Sequence, residues 1–63
     1  MTDLFGGTLP IPVTTQLAEV EREITMRRRV YPRRVEAGQM TQAAADRQIA
    51  TMEAAAATLR AAG

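Results

Sequence analysis

Two stripes of apolar residues, each with helical spacing and separated by a glycine, constrain the fold more than any other feature of this sequence. Intervals of three and four residues are those of heptad a and d positions, which place a set of side chains along one side of an α-helix. The sequence therefore predicts an all-α chain with two helices. The first stripe consists of Leu17, Val20, Ile24, Tyr31 and Val35, and the second of Ala45, Ile49, Met52, Ala56 and Leu59.

The segment between the stripes carries the signals of a helix end followed by a helix start. Gly38 suits the left-handed position that often follows a helix, and Thr41 suits the N-cap of the next one. We therefore expect a first helix over residues 16–37, a turn over residues 38–41 and a second helix over residues 42–62.

A chain that reverses near Gln39 and Met40 forms an antiparallel helical hairpin. Facing residues then have numbers that sum to about 80, so that Ile24 faces Ala56. Large side chains often oppose small ones in this register, which allows the two helices to pack closely.

Two positions in the first helix depart from the pattern. Arg27 and Arg28 stand where an apolar residue is expected opposite Met52. Either their aliphatic stems pack along the interface while the charges reach solvent, or an acidic partner enters there. Pro32 removes one backbone donor and clashes with the preceding turn, so we expect a kink, or a complete break that leaves a short helix over residues 32–37.

Composition excludes several classes of protein. The 63 residues contain no Cys and no His, so disulfide scaffolds, zinc fingers and thiol or histidine catalysis do not apply. No apolar run approaches the roughly 20 residues of a membrane span, and the N-terminus lacks the pattern of a signal peptide, so we expect a cytoplasmic protein. The carboxylates have no apolar pocket and no phosphate-binding loop precedes a helix, so we expect no enzyme, catalytic residue, metal or cofactor.

Residues 1–15 have the composition of an extended tail, with two prolines, two glycines and no helical period. Asp3, Leu4 and Phe5 form a candidate partner-binding motif within it. Two large apolar side chains on a tether suit a pocket on another protein.

This tripeptide resembles the end of the bacterial sliding-clamp-binding motif, Gln-Leu-Ser/Asp-Leu-Phe. Met1 and Thr2 stand in place of the first two residues of that motif. The resemblance implies the sliding clamp as a candidate partner. Alternatively, the two apolar side chains of the tail fold back onto the end of the hairpin near Leu17 and Leu59.

Positive charge is concentrated in the first helix. Residues 22–36 carry six arginines and two glutamates, a local charge of +4, whereas the rest of the chain sums to −3. At about 100° per residue, Arg22, Arg29 and Arg33 project opposite the apolar stripe. Arginine presents a planar fork to phosphate or carboxylate, so this face is a candidate for binding nucleic acid or an acidic protein surface. The alternative is a solvated face that pairs with nearby acids, namely Glu19, Glu23 and Glu36.

Two helices that each bury one face form a thin core, so we expect association into a homodimer with a four-helix bundle. Met26 and Val30 lie outside the main stripe at a spacing of four and are the candidate self-association residues. Ala44, Ala55 and Ala62 offer a smooth edge on the second helix.

Residues 26–53 and the amino-terminal Asp-Leu-Phe-Gly resemble small helical proteins encoded by phages and prophages of Gram-negative bacteria. The elements MRRRVYPR and GQMTQ carry this resemblance. It implies an origin in a mobile genetic element and supplies no mechanism, because those proteins are uncharacterised. Arg34 departs from the pattern, since similar proteins often have an aromatic residue at this position.

Three hypotheses for function follow. The first is a non-enzymatic, phage-type adaptor or regulator that binds a host or phage protein through its tail and its Arg-rich helix. The second is a nucleic-acid-binding accessory factor that uses Arg22, Arg29 and Arg33. The third is a structural or assembly component of a virion, with which the high Ala and Met content is compatible.

Overall fold

The computed structural model describes residues 10–63, and this part of the chain contains two α-helices and no strand. The first helix, α1, spans Val13–Glu36, and the second, α2, spans Gln42–Ala62. The two helices pack against each other. For these residues, the prediction of two helices that pack as a hairpin, without strands, is confirmed.

The helix α1 begins one turn earlier than the sequence indicated, because Val13 rather than Gln16 is its first residue. Pro12 takes the N-cap position, with its φ of −57° and no side-chain cap. The Gln16 side-chain amide donates to the Ile11 carbonyl at 2.9 Å, which ties the first turn to the residues before it. Val13 also lies against the end of α2, beside Gly63. Packing on the second helix therefore extends α1 into the segment that was expected to be tail.

The end of α1 is a Schellman motif centred on Gly38. Gly38 has a φ of +76°, a conformation that L-residues with a side chain rarely adopt. Its N–H donates to the Val35 carbonyl at 3.0 Å, and the Gln39 N–H donates to the Arg34 carbonyl at 2.8 Å. These two bonds satisfy carbonyls that the end of a helix leaves without donors.

The start of α2 is fixed by Thr41. Its side-chain hydroxyl accepts a hydrogen bond from the Ala44 N–H at 3.1 Å. The backbone of Thr41 is extended, with φ −86° and ψ 157°, as an N-cap residue requires. The chain therefore reverses within the short segment between Gly38 and Thr41.

Side-chain contacts between the helices establish an antiparallel arrangement. The residue numbers of the hydrogen-bonded or ion-paired partners sum to 79 or 81, in agreement with the predicted value of about 80. The partners are Tyr31 with Gln48, Arg28 with Glu53, and Arg60 with Glu21.

The core of the described hairpin is thin. Only Ile24, Tyr31, Ala45 and Ala56 are buried, and no polar side chain other than the tyrosine lies among them. Both alanines, which belong to α2, are 2% exposed. Two large buried side chains are few for a stable unit of this size.

Arg27 occupies a place in the helix–helix interface that an apolar residue would normally take. Its side chain is only 27% exposed, and its Nε donates to Glu23 Oε2 at 2.8 Å. This hydrogen bond raises the pKa of the guanidinium above its ordinary value. Arg28, by contrast, turns outward and pairs with Glu53. Of these two arginines, Arg27 is therefore the one whose side chain is largely covered by the hairpin, with 27% exposed against 60% for Arg28.

Pro32 does not break α1, which continues through it to Glu36. The short separate helix considered as an alternative is not observed. Pro32 is exposed. The Arg28 carbonyl, which loses its helical donor at this proline, can therefore bond to water.

Candidate interaction surface

The chemistry of residues 10–63 lies on their surface. No three acidic residues of this part of the chain approach closely enough to hold a metal ion. No buried side-chain nitrogen or oxygen there lacks a hydrogen-bond partner. The arrangement of surface charges and apolar side chains is therefore the feature from which function can be argued.

The eight arginines fall into two groups. Four of them pair with glutamates: Arg22 with Glu19 at 3.0 Å, Arg27 with Glu23 at 2.8 Å, Arg60 with Glu21 at 2.8 Å, and Arg28 with Glu53. Arg29, Arg33, Arg34 and Arg47 pair with no acid among residues 10–63. Three of these four lie within six consecutive residues of α1, which gives that end of the helix an uncompensated positive charge.

One side of the hairpin is closed by ion pairs between the helices. The pairs Arg28 with Glu53 and Glu21 with Arg60 bridge α1 and α2, and Thr25 lies in the groove between them. We call this side the ion-paired flank. Because its charges satisfy one another within the chain, few of its groups require an external partner.

The other side has a different character. A shallow groove there is lined by six residues of α1, namely Glu23, Met26, Arg27, Val30, Tyr31 and Arg34. We call this side the Met26 flank. Met26 is 49% exposed, a high value for a large apolar side chain, and Val30 is half-buried. Within residues 10–63, no ion pair joins the two helices on this flank.

Tyr31 anchors the Met26 flank. Its hydroxyl donates to Gln48 Oε1 of α2 at 2.9 Å. The guanidinium carbons of Arg27 and Arg34 each lie 5.9 Å from the centre of its ring, within the range of cation–π attraction. Arg34 is thus positioned by an aromatic ring rather than by a carboxylate, and its donors remain available to an anion.

The three arginines predicted to form one functional face are not equivalent. Arg22, Arg29 and Arg33 are all exposed, as expected from their spacing. Arg22 is paired with Glu19, however, whereas Arg29 and Arg33 have no acidic partner among the described residues. The expected pair between Arg33 and Glu36 is not formed.

The predicted tail motif, Asp3, Leu4 and Phe5, lies outside the described residues, and so does the alternative in which it folds back. The end of the hairpin where that alternative placed it is formed in part by Leu17 and Leu59, both half-buried.

Two features of the surface were missed from the sequence. The role of Arg34 follows from its position three residues after Tyr31, a spacing that puts the two side chains on the same side of a helix. The two ion pairs between helices follow from the register, because the residue numbers of each pair sum to 81. Both signals were present in the sequence.

Neither helix of residues 10–63 is long and apolar enough to cross a membrane. Comparison with known proteins found no match: no protein family, no curated protein and no solved structure is similar to this chain at a significant level.

Proposed function

We propose that this chain is a non-enzymatic, phage-type adaptor that acts in the cytoplasm of a bacterial host. In this proposal a self-associating hairpin presents its N-terminal motif and the arginines of α1 to a host or phage protein. The observation that carries the proposal is the unequal division of charge: Arg29, Arg33 and Arg34 have no acidic partner among residues 10–63 and lie beside the exposed Met26.

A protein partner suits this combination because it offers both kinds of contact. Carboxylates on the partner can accept paired hydrogen bonds from the planar guanidinium groups. An apolar side chain beside them adds contact area that excludes water from those bonds.

The N-terminal motif supplies the second contact in this proposal. Docking Leu4 and Phe5 in a pocket contributes roughly 3–5 kcal/mol by buried area, from which the cost of ordering the tail is subtracted. Only micromolar affinity is therefore expected from one tail. Two tails on a dimer raise the apparent affinity through avidity. The sliding clamp is the first partner to test.

Binding of the purified sliding clamp to the immobilised chain tests both contacts. We expect Leu4→Ala with Phe5→Ala to abolish binding, and Arg29→Glu to weaken it by about tenfold. Arg47→Glu is the matched control, because Arg47 is also exposed and without an acidic partner among residues 10–63, but lies on the back of α2. Equal binding by all four proteins contradicts the proposed contacts, and no binding by the wild type excludes the clamp as the partner.

Self-association into a four-helix bundle is part of the proposal. It is supported by the small number of buried side chains and by the apolar character of the Met26 flank. Sedimentation at tens of micromolar is expected to give twice the chain mass of 6.9 kDa. A cooperatively folded monomer under these conditions contradicts this part.

Nucleic-acid binding is a second candidate, favoured by the same three arginines without acidic partners. Each phosphate contact contributes about one unit to the slope of log affinity against log salt, so we expect a slope of roughly two to four. Arg29→Glu then reduces the slope by about one, while Arg47→Glu leaves it unchanged. Absence of any wild-type retardation of DNA or RNA at low salt excludes this candidate, because screening is weakest there.

A further inference from the structure

We propose that two copies of the chain pair through the Met26 flank with their α1 helices antiparallel, about a two-fold axis near residue 28. This inference rests on the proposed self-association and specifies its geometry. It follows from a second heptad stripe on α1, which lies mostly on the side of the helix away from α2.

The second stripe changes from acidic to basic along the helix. Its residues recur at intervals of four, three, four, three and four, so they share one side of α1. The first two are glutamates, the central two are apolar, and an arginine follows them. The members of the stripe are Glu19, Glu23, Met26, Val30, Arg33 and Ala37.

An antiparallel arrangement with two-fold symmetry places this stripe against the same stripe of the second copy. In such an interface residue i contacts residue j of the second copy, and j contacts i in return. For an axis near residue 28 the numbers of facing residues sum to 56, so Met26 faces Val30 of the second copy and Glu23 faces Arg33. Two apolar layers at the centre are therefore flanked by two layers of opposite charge.

A parallel arrangement of the same two faces brings like charges together. It places Glu23 against Glu23 and Arg33 against Arg33, which opposes association. In the antiparallel arrangement the acceptor is available: Glu23 Oε2 accepts from Arg27 within the chain, and its Oε1 has further acceptor sites. Arg33 has no acidic partner among the described residues that competes for it.

The ion-paired flank cannot form an equivalent interface. Its four charged side chains already bridge the two helices, and a second copy would have to displace those pairs. The Met26 flank offers instead an exposed methionine and a half-buried valine, whose apolar area is removed from water when a second copy covers them. This assignment moves Met26 and Arg33 from the partner-binding face to the contact between copies and leaves Arg29 exposed for a partner.

Reversing the charges of Glu23 and Arg33 tests the geometry, with the dimer dissociation constant measured by sedimentation equilibrium. Glu23→Arg and Arg33→Glu are each expected to raise the dimer dissociation constant by about tenfold or more, because each variant places two pairs of like charges at the interface. The double variant restores opposite charges and is expected to return to within about threefold of the wild type. Arg47→Glu, with the same change of charge as Arg33→Glu, leaves dimerisation unchanged. Circular dichroism establishes that each variant remains helical.

Crosslinking gives a second measurement that does not depend on charge. The chain has no cysteine, so oxidation links only residues that are introduced. We expect Glu19→Cys chains to crosslink with Ala37→Cys chains in a mixture, and neither variant with itself, because both positions lie far from the two-fold axis. Self-linking of Glu19→Cys chains indicates parallel helices and overturns the geometry. A dimer that is unaffected by either charge variant also overturns the proposed geometry but leaves self-association intact. A monomeric wild type overturns both the geometry and the proposed self-association.

Discussion

The two flanks of the hairpin are built by the same pair of helices in the same register, yet their charged side chains are paired differently. On the ion-paired flank, glutamates and arginines of different helices meet and neutralise one another. On the Met26 flank, Glu23 pairs only with Arg27 of its own helix, and Arg34 lies over Tyr31. The first arrangement holds the hairpin together, and the second leaves apolar and cationic groups for contacts outside the chain.

The largest difference between the two flanks is expected when a charge is placed at the centre of the Met26 flank. Met26→Glu is expected to raise the dimer dissociation constant by at least about a hundredfold, because it removes a buried methionine from each copy and buries two carboxylates. Sedimentation measures the loss. Thr25→Glu is the matched control on the ion-paired flank, and an equal effect of the two substitutions contradicts the distinction between the flanks.

Removal of the ion pairs between helices has a smaller effect, and it falls on stability. Glu21→Gln with Glu53→Gln is expected to lower the free energy of unfolding by up to about 2 kcal/mol, because each exposed pair contributes at most about 1 kcal/mol. The effect should shrink in high salt, where surface charges are screened. Thermal unfolding at low and high salt measures it. A loss of dimerisation without a loss of stability would reverse the roles assigned to the two flanks.

The smallest effect is expected from Tyr31→Phe. This change removes the hydrogen bond to Gln48 but keeps the ring over which Arg27 and Arg34 lie, so it should lower the free energy of unfolding by about 0.5–1.5 kcal/mol. Chemical denaturation measures the change, and partner binding should be nearly unaffected. A larger loss of binding than of stability indicates that Gln48 must be held by Tyr31 for recognition.

Much of the fold could be predicted because several local signals agree. Apolar spacing, Gly38 as the left-handed residue and Thr41 as the cap all indicate two helices joined by a short turn. The register follows from that turn, and with it the ion pairs between the helices.

The start of α1 could not be read from local signals, and neither could the difference in burial between Arg27 and Arg28. Val13 joins the helix because the end of α2 lies beside it, a contact between residues distant in sequence. Arg27 is mostly covered and Arg28 mostly exposed, and the Arg27 Nε donates to Glu23 while Arg28 reaches Glu53 of α2. Propensity alone places an arginine outside, and only tertiary packing reverses that preference.

The arginine in the interface has a consequence for how the hairpin opens. Arg27 separates the apolar contacts around Ile24 and Ala56 from those around Tyr31 and Ala45. Contacts near the turn re-form readily, because only a short loop has to close to bring their residues together. Contacts beyond Arg27 can separate while those near the turn stay in place. We therefore expect amide hydrogen exchange to be graded along both helices and fastest at the end distant from the turn. The segment that carries the proposed partner-binding motif precedes α1 at that end, so the proposal places partner binding beside the part of the hairpin that opens first.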